Sequence, residues 1–384
     1  MPGAEPRTTS LADPVAENRF GVGPEYTVGV EEELMLVDAD TLALVGSGEA
    51  VVYDAHDPEH VKREIRPCMV EITSTPRRTG IEVLADLRRL RRAVGADATG
   101  RGVRLVGAGT HPFSLSENQG TTATSRFQEI MDEIGYPLRR AVCCGMHVHV
   151  AVANADKAVQ LAEGILPDLP LLLAVSASSP FWRGAVSGLA STRQAVWAGV
   201  PRTGLPPYFP DHDHYVAALE ILRRGGAVPD ASHVWWDVRP QARLGTIEVR
   251  LMDAQPVPED SAALAGLVQT MMVDAGQRWD EGERWTADRF ITAENRWLAL
   301  RHGLEARLVD PVTGAAVDAR TLLERLLDRL APAAAQVDAG WALARVAYIA
   351  AAGGAAQAQV DRYRSVADLV AVTRWLADLA VPSP

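Results

Sequence analysis

The stretch Tyr26-Thr27-Val28-Gly29-Val30-Glu31-Glu32-Glu33-Leu34-Met35-Leu36-Val37 alternates with the period of two of a β-strand. It places Val28, Val30, Leu34 and Leu36 on one face and Gly29, Glu31, Glu33 and Met35 on the other. Three more stretches repeat the pattern. Val70 and Ile72 face the core while Glu71 points away; Met146, Val148 and Val150 face inward while His147 and His149 point out. In the fourth, Ile247, Val249 and Leu251 are inward, with Glu248 and Arg250 opposite. Residues 234–238 and 246–251 read as strands joined by a short polar turn, an antiparallel pair. Ile81, Leu84, Leu87, Leu90 and Val94 recur at helical spacing, with Arg88, Arg89, Arg91 and Arg92 read as a solvated face. Residues 155–164, 170–178 and most of the chain after Ser261 also look helical. This order predicts an α+β fold, an antiparallel β-sheet with helices packed on one face.

The chain has 384 residues, 47% hydrophobic and 23% charged, the balance of a globular protein with room for a large core. No long linker or repeat interrupts it from Tyr26 onward, so residues 26–380 are expected to form one catalytic domain behind a disordered lead-in, residues 1–25. That lead-in lacks the apolar centre of a secretory signal, and three cysteines make no disulfide framework, so a cytoplasmic location is expected. The apolar run around Leu169 to Val175 is too short to span a bilayer, and no membrane partner is expected. A net charge of −11 argues against a nucleic-acid partner. Lys62 and Lys157 are the only lysines, and neither follows a glycine, which excludes a phosphate-loop NTPase. Neither a dinucleotide-binding glycine fingerprint nor a hydrolase nucleophile elbow is present.

If the four strands join in one sheet, a single face displays Glu31, Glu33, Glu71, Glu248, His147, His149 and Arg250. Crowded carboxylates resist ionising together unless a cation neutralises them. An oxygen-rich donor set with few imidazoles favours Mg²⁺ or Mn²⁺ over zinc. Glu32 is the misfit: alternation turns it toward the apolar face, where an arginine partner or a strand end is expected. Two other clusters compete for a metal. His56-Asp57-Pro58-Glu59-His60 matches an inverted zinc-peptidase pattern, but Asp57-Pro58 reads as a helix start that leaves His56 outside. Asp211-His212-Asp213-His214 reads as a charged loop before a helix, with Asp213 near the cap.

Taken in order, Gly-Val-Glu31-Glu32-Glu33-Leu, Val-Glu71-Ile-Thr-x-x-Pro, Gly-Met-His147-Val-His149-Val, Trp-Asp-Val-Arg239-Pro and Thr-Ile-Glu248-Val-Arg250-x-x-Asp253-x-Gln255 resemble the second type of the glutamate-cysteine ligase family, the bacterial ATP-dependent carboxylate-amine ligases. Thr292-Ala-Glu-Asn295-Arg296-Trp297, followed by Arg301-His-Gly303-Leu, is similar to a helix of that family. Beyond about Leu308 nothing matches. The resemblance implies a glutamine-synthetase-like catalytic domain and amide formation through an acyl phosphate. Glu31, Glu33, Glu71, His147 and Glu248 are its implied ligands for Mg²⁺ or Mn²⁺. Arg250, Glu248 and Arg239 are the implied catalytic groups. ATP contacts are implied at Glu31, Glu33, Arg239, Arg250, Asn295 and Arg296; Arg239 is a second phosphate or a substrate-carboxylate arginine, and Arg193 and Arg202 are weaker candidates for the same part. The substrates are small molecules, an amino-acid carboxylate and an amine, with glutamate and cysteine the family pair. A homo-oligomer is left open. Two rival readings are a metal-dependent hydrolase using the same carboxylates and a catalytically silent nucleotide-binding protein.

Overall fold

The computed structural model describes residues 18–53 and 55–382. Its main sheet has seven strands: β1 (Val28–Asp38), β2 (Val61–Arg63), β3 (Met69–Thr73), β4 (Val103–Val106), β5 (Gly145–Ala151), β6 (Val238–Gln241) and β7 (Thr246–Asp253). They lie in the order β6-β7-β5-β1-β3-β2, and β4 pairs farther along β1. Every pairing in this sheet is antiparallel, as expected from the sequence. β6 begins only at Val238. Trp235 and Trp236 pair instead in parallel with Thr203 and Gly204, and Trp236 joins an aromatic cluster with Phe209 and Tyr215.

Val28, Val30, Leu34, Ile72, Val148, Val150, Ile247 and Val249 form one apolar face. It packs on the helices Gly80–Thr99, Ala155–Gly164 and Pro258–Asp280, which supply Leu87, Leu90, Leu161, Leu264 and Val268. The first of these helices starts with a reciprocal cap between Thr79 and Glu82. Arg91 departs from the solvated-face reading. It lies four residues after Leu87 and three before Val94, on the buried stripe of the helix, and is fully buried. There its guanidinium grips both carboxylate oxygens of Glu32, at 2.8 and 2.9 Å. The misfit glutamate thus has its arginine.

The polar face of β1 ends at Glu33. Met35 and Val37, on the same side, are buried with Val106, Val372 and Leu376 under the C-terminal helix Leu369–Ala380, so helices cover part of this face as well. The helices Ala319–Gln336 and Gly340–Ala352 add Leu323, Leu326, Leu330 and Val346 to the main core. Arg91 also donates to the Ala380 carbonyl at 3.3 Å, tying the end of the chain to the sheet. Of the lead-in, residues 1–17 lie outside the described residues. Residues 18–25 are not free: Arg19 N donates to Ala242 O at 2.9 Å and Gly21 N to Val152 O at 3.0 Å. Ala155–Ser176 is long and apolar enough to cross a membrane, yet 83% of its apolar window is buried inside the fold.

Candidate active site

Register brings the polar side chains together. Glu31 stands opposite His147 on β5 and Thr73 on β3, and Glu33 stands opposite Glu71, which in turn faces Lys62 on β2. On the other flank Glu248 faces both His149 and Arg239. Directly opposed residues on one sheet face have neighbouring side chains. His147 Nδ1 is 3.2 Å from Glu31 Oε2 and its Nε2 is 3.9 Å from Glu33 Oε1. His149 Nε2 lies 3.8 Å from Glu31 and 3.9 Å from Glu248.

Two groups of donor atoms, each within 4.8 Å, follow from this register: Glu31 with His149 and Glu248, and Glu31 with Glu71 and His147. They share Glu31. His149 Nδ1 is engaged by the Thr246 hydroxyl at 3.0 Å, which orients the ring, while its buried Nε2 has no hydrogen-bond partner among the described residues. An oriented imidazole with one unused nitrogen facing two carboxylates fits a metal ligand. The donors are mainly carboxylate with two imidazoles, a set suited to Mg²⁺ or Mn²⁺.

The ionisation pattern shows the same crowding. Burial opposes ionisation of Glu31, but His147 and His149 beside it hold its carboxyl well below the usual range. Burial, together with the charge of Glu31, pushes Glu71 up to about 7, although Lys62 at 3.1 Å pulls the other way. Glu64, one residue beyond β2, is driven well above its ordinary value by burial and by the charges of Glu33 and Glu71. The surplus of carboxylate over local cations is that of a site built to receive positive charge.

Glu248 is held between two arginines. Burial would raise its carboxyl, but Arg239 and Arg250 hold it well below the usual range. Arg239 Nε donates to one oxygen at 2.7 Å and Arg250 Nη1 to the other. A β-bulge follows Val249, where β7 advances three residues while β5 advances two. It lets Leu251 and Met252 both turn into the core while Arg250 stays beside Glu248. At the neighbouring end of β5, Gly145 N donates to Glu33 Oε2 at 2.6 Å. A Cβ on Gly145 would run into the guanidinium of Arg193, which bonds the carbonyls of Arg250 and Leu251.

The sequence profile of glutamate-cysteine ligase family 2 matches residues 27–370, from the residue before β1 into the last helix. The chain belongs to that family. A Rubrobacter xylanophilus protein with the provisional name glutamate-cysteine ligase 2-3 is 40% identical over 324 residues, 84% of this chain and 88% of that one. A Paracoccus denitrificans protein provisionally named glutamate-cysteine ligase 2 is 37% identical over 340 residues, 88% of this chain and 90% of its own. Among solved structures, the Francisella tularensis glutamate-cysteine ligase in complex with AMP superposes with a TM-score of 0.69. It is 11% identical, with 93% of this chain and 89% of that one covered. The bifunctional glutathione synthetase of Pasteurella multocida gives 0.68 at 17% identity over 92% of this chain. This chain spans about half, 52%, of that longer protein. At these identities the likeness to both is one of fold.

Within this member of glutamate-cysteine ligase family 2, not every residue carried over from the motifs reaches the cluster. Asn295 does not: its amide donates to Val309 O and accepts from Val309 N, both at 2.7 Å, and so fastens a helix to a strand. Arg296 is committed to Asp237 at 2.5 Å and to Gln194 at 2.6 Å. Arg202 bonds the His233 carbonyl and lies over the Trp235 ring. Asp253 and Gln255 are structural, Asp253 receiving Ser178 N, Ser179 Oγ and Ser191 Oγ. The residues 57–60 form a turn into β2 rather than a helix start, and His56 and His60 pair separately with Asp97 and Asp57. Asp211, not Asp213, caps the helix His212–Arg224. Cys68, Cys143 and Cys144 are free and buried; burial pushes the Cys68 and Cys143 thiols up to about 12. The sequence places His149 on this face without assigning it a role, and it misses Glu64, which stands outside any alternating stretch that would orient it.

Proposed function

We propose that this protein is an ATP-dependent carboxylate-amine ligase that activates an acid as its acyl phosphate and passes the acyl group to an amine. The observation that carries the proposal is the pair of donor groups joined at Glu31, with Glu248, Arg239 and Arg250 on the same sheet face. A carboxylate is a poor acyl donor because its leaving group is oxide, and transfer of a γ-phosphoryl group solves this. Glu31, Glu71, His147, His149 and Glu248 would hold divalent cations, which would supply positive charge against the charge developing on the phosphate during transfer. Arg250 offers a planar fork for phosphate oxygens, and Arg239, whose Nε holds Glu248 and whose Nη1 is tied to the carbonyls of Ala231 and Val234, adds a fixed positive charge beside it. No covalent protein nucleophile is required, in keeping with thiols that burial keeps protonated.

The names of the relatives point to glutamate as the acid and cysteine as the amine, and that pair is the first to test. The deciding experiment measures ADP release in Mg²⁺ or Mn²⁺ with amino acids supplied singly and in pairs. ADP release that needs both an acid and an amine supports the ligase. Product formation without ATP would instead return the metal-dependent hydrolase. ATP binding without turnover would leave a silent nucleotide-binding protein.

A further inference from the structure

A cavity of about 480 Å³ lies outside the carboxylate cluster, walled by Tyr136, Arg140, Trp182, Leu189, Thr192 and Val196. Among the described residues no acidic side chain lines it. Its walls are mainly aromatic and aliphatic, with Ser187 and Thr192 adding hydroxyl groups, and Arg140 is its charged group. The Arg140 guanidinium lies 5.5 Å from the centre of the Tyr136 ring, and its Nε is buried with no hydrogen-bond partner among the described residues. The size is in the range of small-molecule pockets, and mostly apolar walls with one placed charge are their usual chemistry.

The cavity is tied to the reaction centre through one turn of chain. Thr192 lines it, and the next residue, Arg193, bonds the carbonyl of Arg250 at 3.2 Å and packs on Gly145, whose N–H holds Glu33. The segment that supplies Trp182 and Leu189 is pinned at both ends, at Ser178–Ser179 and at Ser191, by Asp253 at the end of β7. The strand that carries Glu248 and Arg250 therefore also positions the cavity wall.

We propose that this cavity binds the amine substrate, and that the amine is an α-amino acid with a bulky aliphatic or aromatic side chain. Its free carboxylate pairs with Arg140 and its side chain rests on Trp182, Leu189 and Val196. The acid partner presents its reacting carboxylate to the cation-holding cluster, and an apolar wall offers nothing to a second carboxylate side chain. A cysteine side chain, one carbon and one sulfur, would leave most of the space to water. In the transfer step the amine nitrogen attacks the acyl carbon, the C–N bond forms, the C–O bond to phosphate breaks, and phosphate and a proton leave. The proposal rests on the ligase reading for that step, but binding can be read without it.

Calorimetric titration of the whole protein with L-phenylalanine, without ATP, is the test. Saturable binding is expected. Arg140→Gln, Trp182→Ala, and replacement of the probe by L-phenylalaninamide should each weaken it by about tenfold or more, the scale of a lost charged hydrogen bond or aromatic contact. The amide probe uses the unaltered protein, so misfolding of a variant cannot mimic the result. In ADP release with the best acid, the two variants should raise the KM for phenylalanine by about tenfold and change kcat by less than about threefold. Absence of saturable binding, or equal binding by wild type and both variants, overturns the proposal. If cysteine alone supports ADP release, the cavity assignment falls and the ligase stands. If phenylalanine binds as expected and no acid and amine pair releases ADP, the ligase reading falls and with it the cavity's part in amide formation.

Discussion

Glu31 on β1 stands directly across from His147 on β5, with Oε2 and Nδ1 3.2 Å apart, and the same carboxylate belongs to both donor groups of the site. On the proposed reading this one carboxylate serves two cation positions, and its loss should damage both. Glu31→Gln should weaken Mn²⁺ binding, measured by calorimetry on the nucleotide-free protein, by at least about tenfold. His149→Ala should affect only the position shared with Glu248, and Glu71→Gln only the one shared with His147. Wild-type Mn²⁺ affinity in Glu31→Gln would remove the metal assignment.

The buried pair beneath the site gives a stability prediction. Arg91→Met leaves Glu32 fully buried beside an apolar side chain, and breaking a pair in this way costs about 3–5 kcal/mol. Urea unfolding of the double variant Arg91→Met with Glu32→Leu should recover part of the loss, because an apolar replacement of both partners removes the stranded charge. Recovery stays partial because Arg91 also serves the carbonyls of Gln255, Pro256 and Ala380. An Arg91→Met protein as stable as wild type would contradict this account.

His111 sets an acid limit. Its Nδ1 accepts from Ser114 N at 2.9 Å and Phe113 N at 3.3 Å, and its Nε2 faces the Leu42 carbonyl at 3.0 Å, so only the neutral ring with Nε2–H fits. Burial pulls its value down from 6.5 to about 4. Between those values the unfolded chain binds a proton that the folded chain does not, so this contribution is complete above pH about 6.5 and is lost as pH falls toward about 4. The shift corresponds to a loss of about 3 kcal/mol across that window. His111→Gln should flatten the fall in unfolding free energy there, and an unchanged slope would sink the assignment.

The legible part of the molecule is the part with one buried face. In β1, β3, β5 and β7 a slip of one residue would turn charges into the core, so alternation alone placed Glu31, Glu33, Glu71, His147 and Glu248 on one side. The misfit of Glu32 was equally visible, but its partner was passed over: helical spacing sets Arg91 on the stripe of Leu87 and Val94, yet in a run of arginines it reads as solvated along with its neighbours. Strand register was needed to bring His149 beside Glu248. Asn295 and Arg296 were carried over by motif likeness alone, and their tertiary partners, Val309 and Asp237, are not written in local spacing.

Arg250 separates a phosphate clamp from a simple counter-ion to Glu248. Arg250→Lys keeps the charge but not the planar fork, and the loss should appear in kcat at saturating ATP, by about tenfold or more, with little change in KM. Unchanged kcat in steady-state ADP release would return Arg250 to a purely structural role.

The most direct test of acyl-phosphate chemistry follows an oxygen atom. The acid substrate is supplied with ¹⁸O in its reacting carboxylate, and the inorganic phosphate formed during amide synthesis is analysed by mass spectrometry. The ligase mechanism predicts that one carboxylate oxygen moves to phosphate for each amide made, because the bridging C–O bond breaks when the amine attacks. Phosphate free of the label, with the amide still formed, would contradict it.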